Sequence, residues 1–388
     1  MKVAIVHDFL TQMGGAEKVV EVLHDMFPDA PVYTSVYDAA TMPTYYRTWD
    51  IHTTFLQWMP LKRRLHRLAL MLYPIAFEGM DLSGFDLVIS SSSAFAKGVV
   101  TLPDTLHVTY CHTPMRFAWM ARGYMKNERA GRFLRGLLAP GLHYLRVWDA
   151  VATSRVDRFI ANSRIVARRI EKFYRRECDI VHPPVDVQRF QISSEVEDYY
   201  LIASRCIPYK RIDLAIEAFT RLGRRLLVVG DGRQMKRLRA RAGASVEFRG
   251  RVSDTELAGL MSRAFAYVMP GEEDFGIAPV EANACGRPVI AYGAGGALDS
   301  QIDGVTGVLF GEQTIESLCA AVNRLDTLAL NPAAIREHAM RFSAENFRRG
   351  ILRVIEDELA RDGRAVAMAA AANGRERDRS RVVGSGRG

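Results

Sequence analysis

Two glutamates, Glu273 and Glu281, stand with seven residues between them inside the stretch PGEEDFGIAPVEANACGRPVIAYGAGGA, which runs from Pro270 to Ala297. If a helix begins near Phe275-Gly276, the amides of Gly276, Ile277 and Ala278 fall in its first turn, lack intrahelical acceptors and point outward. Such a terminus favours an anion, for example a diphosphate. Glu273 then sits at the mouth of that anion site. Glu281 lies further along the helix, where its carboxylate can accept hydrogen bonds from sugar or ribose hydroxyls. Solvated helix carboxylates are the ordinary fate of glutamate. The setting, between a strand ending in Met-Pro and the strand entry Cys-Gly-Arg-Pro-Val-Ile, lifts this pair above that default.

Upstream, the apolar run YYLIAS leads into Arg205-Cys206-Ile207-Pro208-Tyr209-Lys210-Arg211. Arg205 and Lys210 therefore leave the carboxyl end of a strand, where α/β sheets bind ligands. A guanidinium fork and an ammonium point charge together suit two phosphates. In the first half of the chain, Gly14-Gly15-Ala16-Glu17 follows the first strand and opens a helix, which allows close backbone approach by a phosphate or sugar. His112, in Tyr110-Cys111-His112-Thr113-Pro114, follows an apolar strand at a sheet edge. Gly230-Asp231-Gly232 resembles a dinucleotide turn without its third glycine and reads as structural.

The elements that must hold these residues follow one rhythm. VAIVHDF, DLVISSSS, RFIANS, YYLIASR, RLLVVGDG, SVEFRG, AYVMPG and RPVIAYG are short apolar runs separated by turn residues and helical patterns. That is the signature of buried parallel strands with crossover helices, an α/β fold. A chain of 388 residues is long enough for two such units. The stiff His182-Pro183-Pro184-Val185-Asp186 segment marks the junction, giving domains over 1–188 and 189–360. A helix over about Ala333 to Arg361 closes the fold and can pack back across the first domain.

Composition narrows the class further. Hydrophobic residues make up 48% of the chain and charged residues 25%, and no run reaches the roughly 18 apolar residues of a membrane span. MKVAIVHDFL reads as a first core strand rather than a signal peptide, so a cytoplasmic protein is expected. Cys111, Cys178, Cys206, Cys285 and Cys319 are scattered and suggest neither a metal cluster nor disulfides. The net charge is +8, but the segment 361–388 carries seven arginines against three acidic residues and reads as a disordered basic tail. No module that interleaves aromatic and basic residues is present, so nucleic acid is not an expected partner. Between Leu56 and Tyr73, Leu61, Leu65, Leu68 and Leu72 recur at helical spacing with Lys62, Arg63, Arg64 and Arg67 between them. This basic amphipathic pattern fits either an anionic membrane face or a helix packed on its own domain.

Taken together, these motifs resemble the family 4 glycosyltransferases of the GT-B fold, over nearly the whole chain to about residue 358. Gly14-Gly15-Ala16-Glu17 is similar to that family's glycine loop, His112 to its active-site histidine, Arg205 and Lys210 to its diphosphate pair, and Glu273 to Glu281 to its Glu-x7-Glu. The resemblance implies two Rossmann-like domains facing across a cleft, with the C-terminal helix returning to the first. It implies Glu273 on the donor sugar, Glu281 on the ribose, and Phe275, Gly276, Ile277 and Ala278 around the phosphates, with retention of anomeric configuration. Ser204, where a glycine often precedes the arginine, and Asp299, where glutamate is common, depart from the pattern. FDLVISSSSAFAKG, YCHTPMRFAW and GEEDFGIAPVEA resemble bacterial mannosyltransferase-like members of exopolysaccharide and O-antigen assembly, which implies GDP-mannose as donor and a polyprenyl-diphosphate-linked saccharide as acceptor. No cofactor is expected. Because no Asp-x-Asp triplet occurs, no bound metal is expected either. Transfer from a UDP- or dTDP-sugar, a nucleotide-sugar epimerase of the same fold, and a non-catalytic sugar-nucleotide sensor are the alternatives.

Overall fold

The computed structural model describes residues 1–58, 68–120 and 132–361. The first seven strands are β1 (Val3–His7), β2 (Val32–Thr34), β3 (Ile51–Thr53), β4 (Leu87–Ser92), β5 (Leu106–Cys111), β6 (Arg158–Ala161) and β7 (Cys178–Ile180). They form one parallel sheet in the order β3-β2-β1-β4-β5-β6-β7. The six that follow are β8 (Tyr199–Ala203), β9 (Arg225–Val229), β10 (Val246–Gly250), β11 (Ala266–Met269), β12 (Val289–Tyr292) and β13 (Gly307–Phe310). They form a second parallel sheet, β10-β9-β8-β11-β12-β13. β1, β4, β5 and β11 are buried at every residue, which is why they read as uninterrupted apolar or small-residue runs. β2, β3 and β7 span only three residues each, too short for an apolar run to stand out in sequence.

Each sheet reverses its winding once, between β1 and β4 in the first and between β8 and β11 in the second. A doubly wound sheet opens a crevice at that reversal, beyond the carboxyl ends of its strands, and ligands bind there. Register sets what lines the crevice: His7 at the end of β1 lies opposite Ser91 of β4, and Ser91 lies opposite Tyr110 of β5. β5 is therefore an interior strand, not an edge strand, and His112 follows its carboxyl end between β4 and β6.

The C-terminal helix returns to the first domain, as the resemblance implies. It is shorter than expected, since Pro332–Met340 and Ala344–Arg361 are separate helices. Between them the chain crosses from one domain to the other: the Val185 amide donates to the Phe342 carbonyl at 2.8 Å, and Ser343 Oγ caps the new helix by accepting from the Asn346 amide. Phe347, Ile351, Val354 and Ile355 of the last helix enter the same core as Val19, Val20 and Leu23 of the helix Gly15–Met26. Packing at i, i+4, i+7 and i+8 fixes that helix on the first sheet although it follows the second in sequence.

Residues 59–67 and 362–388 lie outside the described residues, and with them most of the basic amphipathic pattern and all of the tail beyond Arg361. The described ends of the 56–73 stretch are two 3-10 turns, Phe55–Trp58 and Leu68–Met71, followed by a short helix Tyr73–Glu78. Leu56 and Tyr73 are buried there, while Trp58 is 86% exposed.

Candidate active site

The loop after β8 and the loop after β11 meet at the reversal of the second sheet. Gly271 lets them touch: a Cβ there would lie 2.5 Å from the Tyr209 carbonyl oxygen. The approach brings the Lys210 ammonium onto the Glu273 carboxylate as an ion pair, with the two side chains 21% and 12% exposed. Burial disfavours the charge on Lys210, but Glu273 outweighs it and the lysine pKa is raised, so the ammonium is held charged. From the loop after β12, the Gly296 amide donates to the Glu273 carbonyl at 2.9 Å. Arg205 is exposed just upstream, and among the described residues its guanidinium makes no hydrogen bond or ion pair.

The helix anticipated at Phe275-Gly276 is Ile277–Ala284, with Gly276 as its N-cap at φ +88°, a left-handed conformation that glycine adopts without strain. Among the described residues the amides of Gly276, Ile277 and Ala278 make no hydrogen bond. Phe275 is buried and stacks on His182 at 5.3 Å, so it braces the loop rather than facing the crevice. Glu281 projects from the next turn and is 6% exposed.

On the facing side, the first domain contributes a buried polar chain. His7 Nδ1 lies 3.1 Å from the Ser91 carbonyl oxygen, and since a carbonyl only accepts, that nitrogen carries a proton. Its Nε2 is 3.7 Å from Glu17 Oε1, and Ser91 Oγ is 2.8 Å from His112 Nε2. Burial lowers the pKa of His7, but the nearby carboxylates of Glu17 and Asp8 reverse this and leave it raised. His112 is driven down to about 3, first by burial and then by His7, so its imidazole is neutral. Gly14 caps the helix on which Glu17 sits, and Gly15 is its first residue.

The halves join through side chains that sequence reasoning did not single out. The loop Glu272-Glu273-Asp274 sends its side chains two ways. Glu273 turns to Lys210, while Asp274 accepts from Arg169 and pairs with Arg116 at 3.0 Å. Glu272 lies 3.4 Å from Arg169 Nη2, and Arg116 also stacks over Tyr209 at 5.3 Å. Asp299, one departure from the resembled pattern, pairs with Arg164 at 2.9 Å, again between domains. Lys18 Nζ crosses the cleft to Glu281 Oε1 at 2.7 Å. His7 was open to discovery from sequence, because the rule that flagged Arg205 at a strand end applies equally to the last residue of β1, and Glu17 already stood in the Gly14-Gly15-Ala16-Glu17 motif. Arg116 and Arg169 carry no local signal.

The Gly230-Asp231-Gly232 turn is structural, as its sequence suggests: a Cβ at Gly230 would lie 2.0 Å from the Ser204 carbonyl oxygen.

This geometry, a cleft between two doubly wound sheets with cations and free helix amides on one wall, fits what known proteins show. Residues 13–189 match the family described as Glycosyltransferase Family 4, and residues 185–346 match Glycosyl transferases group 1. The chain is thus a glycosyltransferase of the GT-B fold, built of a family 4 domain followed by a group 1 domain. An uncharacterized glycosyltransferase of Methanocaldococcus jannaschii is 23% identical over 373 residues, which cover 92% of this chain and 98% of that protein. A D-inositol 3-phosphate glycosyltransferase of Mycobacterium tuberculosis is 30% identical over 234 residues, 52% of this chain and 48% of that protein, so the match spans about half of that relative. The Anabaena protein HepE, solved in complex with UDP-glucose, superposes with a TM-score of 0.68 at 18% identity over 92% of this chain and all of the other. At that identity the likeness concerns the fold.

Proposed function

We propose that the chain transfers a hexose from a nucleoside diphosphate sugar to a lipid-linked saccharide with retention of anomeric configuration. The observation that carries this reading is the convergence of Lys210, Arg205 and the unpaired amides of Gly276, Ile277 and Ala278 at the reversal of the second sheet, with Glu273 beside them. Negative charge develops on the leaving diphosphate as the glycosidic bond to it breaks. Donors fixed in advance on that position lower the barrier without reorganising. Arg205 and Lys210 supply positive charge there, so the reaction needs no divalent metal. Glu273 orients the sugar through its hydroxyls, Glu281 takes the ribose, and neutral His112 faces the sugar from the first domain as a hydrogen-bonding group. The acceptor hydroxyl attacks from the side the leaving group departs, and its proton passes to the leaving diphosphate.

GDP-mannose is the proposed donor, on the resemblance of FDLVISSSSAFAKG and YCHTPMRFAW to mannosyltransferase-like sequences. UDP-glucose is the second reading, favoured by the complex in which HepE was solved. A peripheral site on the cytoplasmic membrane face suits a polyprenyl-linked acceptor. Among the described residues no helix is long and apolar enough to cross a membrane. Trp58, Ile75, Val147 and Val151 are exposed apolar side chains on the first domain. The test is turnover of GDP-mannose, UDP-glucose and dTDP-glucose on a lipid-linked saccharide, with and without EDTA. Transfer from GDP-mannose that survives EDTA supports the reading. Donor conversion without acceptor indicates an epimerase, and complete loss in EDTA restored by magnesium refutes the metal-free mechanism.

A further inference from the structure

Two helix faces meet across the cleft in matched steps. On the helix Gly15–Met26, Gly15 and Lys18 are one turn apart, and on Ile277–Ala284, Ile277 and Glu281 are one turn apart. Gly15 packs against Ile277 so closely that a Cβ on it would lie 2.8 Å from Ile277 Cδ1, and Lys18 Nζ reaches Glu281 Oε1 at 2.7 Å. Among the described residues Lys18 is the sole hydrogen-bond donor to the Glu281 carboxylate, and it engages Oε1. The second oxygen keeps its lone pairs.

The position of Lys18 is unfavourable for its own helix. A cation beside the positive end of a helix dipole costs stability instead of adding it. Local rules of this kind are broken chiefly at functional sites.

We propose that Lys18 is a positioning residue for the nucleotide, reaching from the first domain to hold the Glu281 carboxylate in the orientation in which its free oxygen accepts from the ribose hydroxyls. The inference rests on the assignment of Glu281 to the ribose. A carboxylate on an unsupported side chain samples several rotamers, and fixing it in advance removes that cost from binding. Because the lysine and the glutamate belong to different domains, the ribose site is complete only when the domains are together. Ribose recognition and closure are therefore one linked equilibrium.

The test compares calorimetric affinities of GDP and UDP with those of their 2′-deoxy and 3′-deoxy forms, for the wild type, Lys18→Met, Lys18→Arg and Glu281→Gln. A hydrogen bond to a charged acceptor predicts that the wild type prefers the ribonucleotide over at least one deoxy form by about tenfold or more. Lys18→Met is expected to reduce that preference to about threefold or less, and Lys18→Arg to restore most of it. A lysine that merely latched the domains would weaken ribo and deoxy forms alike and leave the ratio unchanged. An unchanged ratio in Lys18→Met, with the ratio lost in Glu281→Gln, overturns the role of Lys18 and leaves the ribose assignment standing. No preference in the wild type overturns both.

Discussion

Lys210, on the loop after β8, is ion-paired with Glu273, on the loop after β11, so the cation assigned to the phosphates and the carboxylate assigned to the sugar share one contact. Replacing the lysine removes one preorganised donor, a loss of roughly 3 kcal/mol, and leaves Glu273 without its counter-charge. Lys210→Ala is expected to lower kcat/KM by about 100-fold or more with the fold intact by circular dichroism. A variant with near-wild-type kcat/KM places the diphosphate elsewhere.

The contact of Gly15 with Ile277 makes closure sensitive to a single side chain. Gly15→Val adds bulk where a Cβ alone already lies 2.8 Å from Ile277 Cδ1, and the clash arises only when the domains meet. Displacing catalytic groups by about 1 Å costs up to about 100-fold, so kcat/KM should fall at least tenfold while the melting temperature stays within a few degrees. Unchanged kinetics would mean that catalysis does not require this closed arrangement.

His107 and His112 make the fold sensitive to acid. Burial pushes His107 to about 4 and His112 to about 3, below the usual value near 6.5. A folded-state pKa below the unfolded one stabilises above pH 6.5, and that contribution is lost as pH falls toward 4 and 3. His7 runs the other way: its raised pKa adds stability below about 6.5 that is lost as pH rises through the folded value. His24 and His338 are also lowered by burial, so among the described histidines four lowered groups outweigh one raised group and the urea midpoint should drop between pH 7 and pH 5. Each lowered group contributes up to about 1.4 kcal/mol per pH unit. His107→Gln should show a smaller drop, and a wild-type midpoint that holds constant over this range contradicts the account.

Membrane attachment at the first domain predicts salt-sensitive binding to anionic vesicles. Lys62, Arg63, Arg64 and Arg67 would each add about 1 kcal/mol beside an anionic surface. In co-sedimentation, the wild type should bind anionic vesicles at low salt, and a variant with all four changed to Gln should bind much less. Equal binding by both, or none by the wild type, removes this stretch as the contact.

Much of this arrangement is legible in the sequence because its causes are local. β8, β9, β11 and β12 announce themselves as apolar runs, and the helix start at Gly276 follows from a glycine placed before an apolar turn. The apolar spacing of the last helix shows that it buries one face, but its return to the first domain was implied by the resemblance alone, and its separation from Pro332–Met340 was not legible, because a cap at Ser343 and a crossing beside Val185 are tertiary events. Contacts between distant segments were hidden for the same reason. Nothing near Asp274 in sequence points to Arg116 or Arg169, and nothing near Lys18 points to Glu281, since the two sheets must fold and face each other before these charges meet.

The proposed function places a nucleoside diphosphate in the crevice of the second sheet, on Arg205, Lys210 and the amides of Gly276 to Ala278. Calorimetric titration with GDP and with UDP, on the wild type and on a variant carrying Arg205→Ala and Lys210→Ala, tests it most directly. The wild type is expected to bind at least one of the two without added metal, and the double variant to lose about 100-fold or more of that affinity, since hydrogen bonds to charged groups are each worth about 1.5–3 kcal/mol. Equal affinity in the two proteins, or no binding of either nucleotide by the wild type, would contradict it.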